Sequence, residues 1–158
     1  MPLFNNNRID IQTLKQADRN YQDYFFENEV KNNFQKEFVS LWPGWLGKEN
    51  LYKLDEVSEN DWDKFNKWIL CLSQQYQLLW VDSQNKRLSL VDNIETTFST
   101  YKETMMKNSS QFSRYVVPIL NCVVSEDWDY TWIIWHQNDG AVRAISNTIK
   151  NVGLFHFK

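Results

Sequence analysis

Two apolar runs near the C-terminus constrain this chain more than any other feature. Residues 115–124 read Tyr-Val-Val-Pro-Ile-Leu-Asn-Cys-Val-Val and residues 130–136 read Tyr-Thr-Trp-Ile-Ile-Trp-His. β-branched and aromatic side chains suit a pleated surface, so both runs read as strands. Being apolar on both faces, they belong in the middle of a sheet or under cover on both sides. The stretch between them is short, which makes the pair a hairpin and therefore antiparallel. Pro118 has no N–H for the ladder, and it predicts an edge position or a bulge there.

The rest of the chain supplies helices and a second hairpin. Ser58 is a suitable N-cap, with Glu59, Asp61 and Asp63 at the positive end of the helix dipole. Trp62, Phe65, Ile69, Leu72 and Tyr76 follow at helical spacing. Residues 77–82 and 87–91 read as strands joined by Ser83-Gln84-Asn85-Lys86. Asp92 then caps a predicted helix lined by Ile94, Phe98, Tyr101 and Met105, closed by Asn108-Ser109-Ser110. A further helix is predicted over residues 18–41, where Val30, Phe34, Phe38 and Leu41 recur at helical spacing until Pro43-Gly44 stops it. Trp42 and Trp45 flank that stop, either pinned to the core or as an exposed pair. Residues 9–17 fit a short strand or a helix equally, and residues 1–9 are polar and read as loosely ordered. After Asn138-Asp139-Gly140, a turn signal, a helix over 141–150 and a strand over 153–157 complete the pattern. Hairpins alternating with helices define an α+β class. The expectation is one domain, residues 1–158, with an antiparallel sheet of hairpins in the C-terminal half packed against several helices.

Composition narrows the function. The net charge of −3 and pI near 5.4 give no broad basic surface for nucleic acid. No segment is long and apolar enough for a membrane span, and the N-terminus lacks the pattern of a signal peptide, so the expected location is cytoplasmic. Cys71 and Cys122 sit in apolar segments and read as small buried hydrophobes. Aromatic residues make up 16% of the chain, enough to build a core on rings and leave some as interface anchors.

Catalytic patterns are missing. The four glycines (44, 47, 140 and 153) form no phosphate loop. His136 and His156 end two predicted strands, and Cys122 lies on a third. Their rings would approach if the two strands paired, yet the spacing matches no zinc pattern. Cys122 in an apolar strand is a poor nucleophile. Glu126, Asp127 and Asp129 fall at a hairpin tip, where carboxylates do not converge in an enclosed cleft. The expectations are no catalytic residue, no metal and no cofactor.

The segment Ser125-Glu126-Asp127-Trp128-Asp129-Tyr130 places three acids and two rings together. Acids at a turn solvate it and discourage edge pairing with other molecules. The same residues also suit recognition of a basic partner, with charge steering the encounter and a desolvated ring supplying affinity. Glu126, Asp127, Trp128, Asp129 and Tyr130 are therefore the candidate partner-binding residues. With this hairpin and its flanking strands, the small, mildly acidic, aromatic-rich α+β chain resembles the immunity proteins of bacterial polymorphic toxins, including those of contact-dependent inhibition and type VI secretion. The resemblance implies a non-enzymatic protein that binds and neutralises a cognate toxin, often a nuclease. The alternatives are an unclassified partner-binding or regulatory domain, or an enzyme with an unrecognised site.

Overall fold

A computed structural model describes residues 21–101 and 108–158, so the expectations for residues 1–20 and for Met105 lie outside the described residues. The first described elements are a short helix α1 (Tyr21–Tyr24) and a small ladder of β1 (Phe25–Phe26) and β2 (Glu29–Val30), followed by β3 (Gln35–Ser40). A 3-10 segment, Lys48–Glu56, leads to α2 (Glu59–Gln75). Then come β4 (Leu79–Asp82), β5 (Arg87–Ser89), β6 (Arg114–Val117), β7 (Cys122–Asp127), β8 (Thr131–His136), α3 (Asp139–Asn151) and β9 (Phe155–Phe157). The seven strands from β3 onward form one sheet in the order β5-β4-β6-β7-β8-β3-β9, with every neighbouring pair antiparallel. The fold is α+β, and β7 and β8 lie mid-sheet as their two-sided apolar pattern requires.

The predicted helix over 18–41 is not continuous among the described residues: only Tyr21–Tyr24 is helical, and Gln35–Ser40 is β3. Asn28, Asn32 and Asn33 are poor helix formers, and Glu27 takes a left-handed φ of 55° that no helix tolerates. Phe38 and Val39 instead pair with Ile133 and Trp132 on one side and with Phe157 and His156 on the other. A strand flanked on both sides satisfies its backbone fully, and this pairing overrides a helical spacing of only four apolar residues.

Three local signals also resolve differently from expectation. Pro118 neither bulges a strand nor marks an edge: Pro118–Leu120 is a 3-10 turn that folds the 115–124 run into the hairpin β6–β7. Proline fits the first position of such a turn because its missing N–H is not needed there, and Asn121 closes it at φ 51°. Asn138 is an N-cap, accepting the Ala141 N–H at 3.1 Å, so Asn138-Asp139-Gly140 opens α3. Among the described residues 93–101 the predicted helix is reduced to a 3-10 turn, Ile94–Thr97; Asn93 rather than Asp92 caps it, and the chain is extended at Phe98.

One face of the sheet carries the main core. Ser58 and Asp61 form a reciprocal capping box at the start of α2, with the Ser58 N–H donating to Asp61 at 3.0 Å and the Asp61 N–H donating back at 3.2 Å. From there α2 buries Trp62, Phe65, Trp68, Ile69 and Leu72. The Trp68 indole donates to the Thr148 hydroxyl at 3.0 Å, tying α2 to α3 in a fully buried contact. Trp132 lies at the centre, with ring centroids 6.0–6.3 Å from Trp68, Phe65 and Tyr115. The opposite face is covered by Tyr21, Tyr24, Phe25 and Phe34, which pack on Leu79, Val81, Leu88, Val116 and Val123. Arg114 anchors that cover: it donates to the Asn28 carbonyl at 2.6 Å and to the Ser83 hydroxyl, and its guanidinium lies 5.0 Å from the Phe25 ring centre.

A candidate binding surface at the hairpin end of the sheet

The β7–β8 turn spans Trp128, Asp129 and Tyr130, with Asp127 paired to Thr131. Asp129 and Tyr130 have φ of 58° and 56°, a region that costs a side-chain-bearing residue on the order of 1 kcal/mol each. Packing holds Tyr130 there. Its ring is buried against Trp62 at 6.2 Å and Tyr101 at 6.5 Å. Glu126 is also turned inward, only 4% exposed; its carboxylate accepts the Ser113 N–H at 3.1 Å, and its own N–H donates to the Ser113 carbonyl at 3.0 Å. Of the five candidate residues, Glu126 and Tyr130 thus brace the tip from within. Asp127 is half-buried, while Trp128 and Asp129 are exposed. Trp128 meets Phe112 edge-on at 5.0 Å.

Register gathers further groups at this end. Asp127, Thr131, Ser40 and Phe155 form one cross-strand row through β7, β8, β3 and β9. Strand spacing puts Phe155 about 14 Å from Asp127 along that row. Phe155 is exposed, and two residues inward Phe38 and Phe157 support Trp45, whose ring stands 64% exposed at 4.7 and 5.1 Å from theirs. Trp42, by contrast, is half-buried against the main core. The Trp62–Tyr130 contact sets the acidic first turn of α2 beside the same hairpin. Sequence reasoning left Trp42 and Trp45 open as core or exposed rings, and the structure divides them; it missed Phe155 as a surface ring. The signal for Phe155 is the aromatic alternation Phe155-His156-Phe157 on a short strand, which becomes legible only once β3 is known to be its neighbour.

The candidate chemical groups lie apart. His136 is buried on β8, its Nδ1 3.0 Å from the Asn138 carbonyl oxygen. His156 on β9 lies 3.0 Å from the Ser146 hydroxyl and 3.3 Å from Glu37. Because β3 separates β8 from β9, the two histidine strands do not pair. Cys122 is fully buried, and desolvation pushes its thiol up to about 12, leaving it protonated at neutral pH. Both cysteines are free thiols, and no group of three or more His, Cys, Asp or Glu among the described residues could hold a metal ion. No helix among the described residues is long and apolar enough to cross a membrane.

On the helix side of the sheet, next to Phe112, lies a cleft of about 570 Å3 between β4 and the segments 96–100 and 111–113. Its wall holds a hydroxyl network: Thr97 Oγ1 is 2.8 Å from the Tyr115 hydroxyl, and Ser113 donates to the Thr97 carbonyl at 2.7 Å. Desolvation lifts the Tyr115 hydroxyl to about 12, so this network is uncharged at neutral pH. Ser99, 7% exposed, contributes a buried hydroxyl with no hydrogen-bond partner, an arrangement that costs on the order of 1–3 kcal/mol.

Compared with known proteins, the chain matches no protein-family model and has no significant match among curated proteins or solved structures.

Proposed function

We propose that this chain is a non-enzymatic binding protein, an immunity protein that neutralises a cognate protein toxin by direct contact through the hairpin end of its sheet. The observation that carries this reading is the hairpin tip itself, where Asp127 and Asp129 flank the exposed ring of Trp128 and the Trp62–Tyr130 contact sets the acidic first turn of α2 beside it. Negative charge beside an exposed ring suits a basic partner such as the nucleic-acid groove of a nuclease. The tip is also preorganised: Tyr130 and Glu126 fix it before any partner arrives, which reduces the ordering cost of association. The test is protection in cells. The protein encoded by the reading frame immediately upstream is expressed with this chain or with its Asp127→Lys/Asp129→Lys variant. The proposal expects toxicity from the upstream product, rescue by the native chain and loss of rescue by the variant. A harmless upstream product, or full rescue by the variant, contradicts it.

A further inference from the structure

Three polar groups from three elements meet beside β9, the edge strand of the sheet. Register brings them there. Glu37 and Val39 alternate onto the face of β3 that carries the main core, and Val39 pairs with His156, so His156 shares that face. Ser146 sits on α3 next to Ile145, at the rim of the buried stripe of Val142, Ile145 and Ile149. Its hydroxyl lies 3.0 Å from His156 Nε2, and His156 Nδ1 lies 3.3 Å from Glu37 Oε2. We propose that Ser146, His156 and Glu37 form a nucleophilic relay whose serine takes up an acyl group from an activated ester.

The roles follow from the atoms. A carboxylate accepts and does not donate, so Glu37 fixes the ring proton on Nδ1 and leaves Nε2 to accept from the Ser146 hydroxyl. A hydroxyl held on a histidine that a carboxylate orients is the arrangement that activates an oxygen nucleophile. In the step, Ser146 Oγ attacks the ester carbonyl carbon and its proton passes to Nε2. The Oγ–C bond forms, the bond to the leaving oxygen breaks, and Nε2 gives the proton to that oxygen, releasing an alcohol or phenol. The helix limits the outcome to one event. Inside α3 the backbone N–H groups are bonded to carbonyls four residues back, so the helix lends none to a developing oxyanion. The acyl group therefore stays on Ser146, a stoichiometric modification compatible with a non-enzymatic protein.

Glu37 is the second, independent observation. It is 5% exposed on a strand flanked on both sides, and its Oε1 has no hydrogen-bond partner among the described residues. A buried carboxylate is costly unless fully paired, and a network kept for stability alone satisfies both oxygens. Here the carboxylate is spent on orienting the histidine. The other two members are reachable: among the described residues Ser146 and His156 are both partly exposed, the His156 side chain at 24%, which lets a small ester approach Oγ. This site does not depend on a protein partner at the hairpin.

The experiment incubates the full chain with p-nitrophenyl acetate and maps acetyl groups over time by peptide mass spectrometry. The expected result is acetylation of Ser146 ahead of every other serine, with the group retained after the ester is removed. His156→Gln removes the base at a partly exposed position, so it keeps the fold and slows acetylation of Ser146 by about a hundredfold. Glu37→Gln leaves the base in place but unfixes its tautomer, and slows the same step by at least about tenfold. Absence of acetyl on Ser146 in the native chain overturns the proposal, as does acetylation there no faster than at other exposed serines. A rate unchanged in either variant, or loss of the acetyl group as fast as it forms, overturns it too.

Discussion

The β4–β5 and β7–β8 hairpins each end in a turn containing side-chain-bearing residues at positive φ, Lys86 in one and Asp129 and Tyr130 in the other. The first is closed locally. Asp82 accepts from the Asn85 backbone at 3.2 Å and from its side-chain amide at 2.8 Å, and Lys86 is exposed. The second is closed from a distance, by a tyrosine ring sunk between Trp62 and Tyr101 and by a glutamate tied to Ser113. A turn that only has to reverse the chain needs local hydrogen bonds. A turn strained and then fixed by tertiary contacts holds its outward residues in one arrangement, and that arrangement is what a binding surface requires.

The largest effect that tests this contrast is expected at Tyr130. Tyr130→Ala should destabilise the fold by about 3–5 kcal/mol in chemical denaturation, the usual loss for a buried ring. Tyr130→Gly should be roughly 1 kcal/mol less damaging than Ala, because glycine accepts φ 56° without strain. At Lys86 the same change to glycine should be neutral or stabilising, by no more than about 1 kcal/mol. Equal losses at both positions would show that the two turns are held alike.

Glu126 comes next. Glu126→Ala leaves the buried Ser113 N–H without its carboxylate and should cost about 1–3 kcal/mol. Glu126→Gln keeps an acceptor and should cost less; a Gln variant as unstable as Ala would assign the brace to charge rather than to the hydrogen bond.

The smallest effect belongs to the local turn. Hydrogen bonds from the Asn85 side chain and backbone hold the Asp82 carboxyl below its ordinary range. A depressed folded-state pKa contributes stability that is present above the unfolded value and lost as pH falls through the folded one. Asp82→Asn should therefore lower stability slightly at neutral pH and converge on the native protein in acid, which flattens the acid limb of the stability curve, as read by thermal melts across the acid range.

How much of this was legible in the sequence follows from where each signal resides. The Ser58 capping box and the spacing from Trp62 to Leu72 are local and strong, and α2 forms as they predict. The β4–β5 and β7–β8 hairpins likewise follow from local alternation and turn residues. β3 was hidden because its partners lie about a hundred residues away, and pairing with Ile133 and Phe157 decides its state. The hairpin tip was legible as a composition but not as an arrangement: the sequence cannot say that Glu126 and Tyr130 turn inward while Trp128 and Asp129 stay out. Trp45 joins the same end only through contacts with Phe38 and Phe157.

The central claim is that the hairpin end is the partner surface, and affinity measured against salt tests it most directly. Calorimetric titration of the native chain and of Asp127→Lys/Asp129→Lys with the protein encoded immediately upstream, across a range of ionic strength, separates charge from fold. The account predicts at least roughly tenfold weaker binding and a shallower salt dependence for the variant, with unfolding stability within about 0.5 kcal/mol of native. Unchanged affinity together with an unchanged salt slope would contradict it.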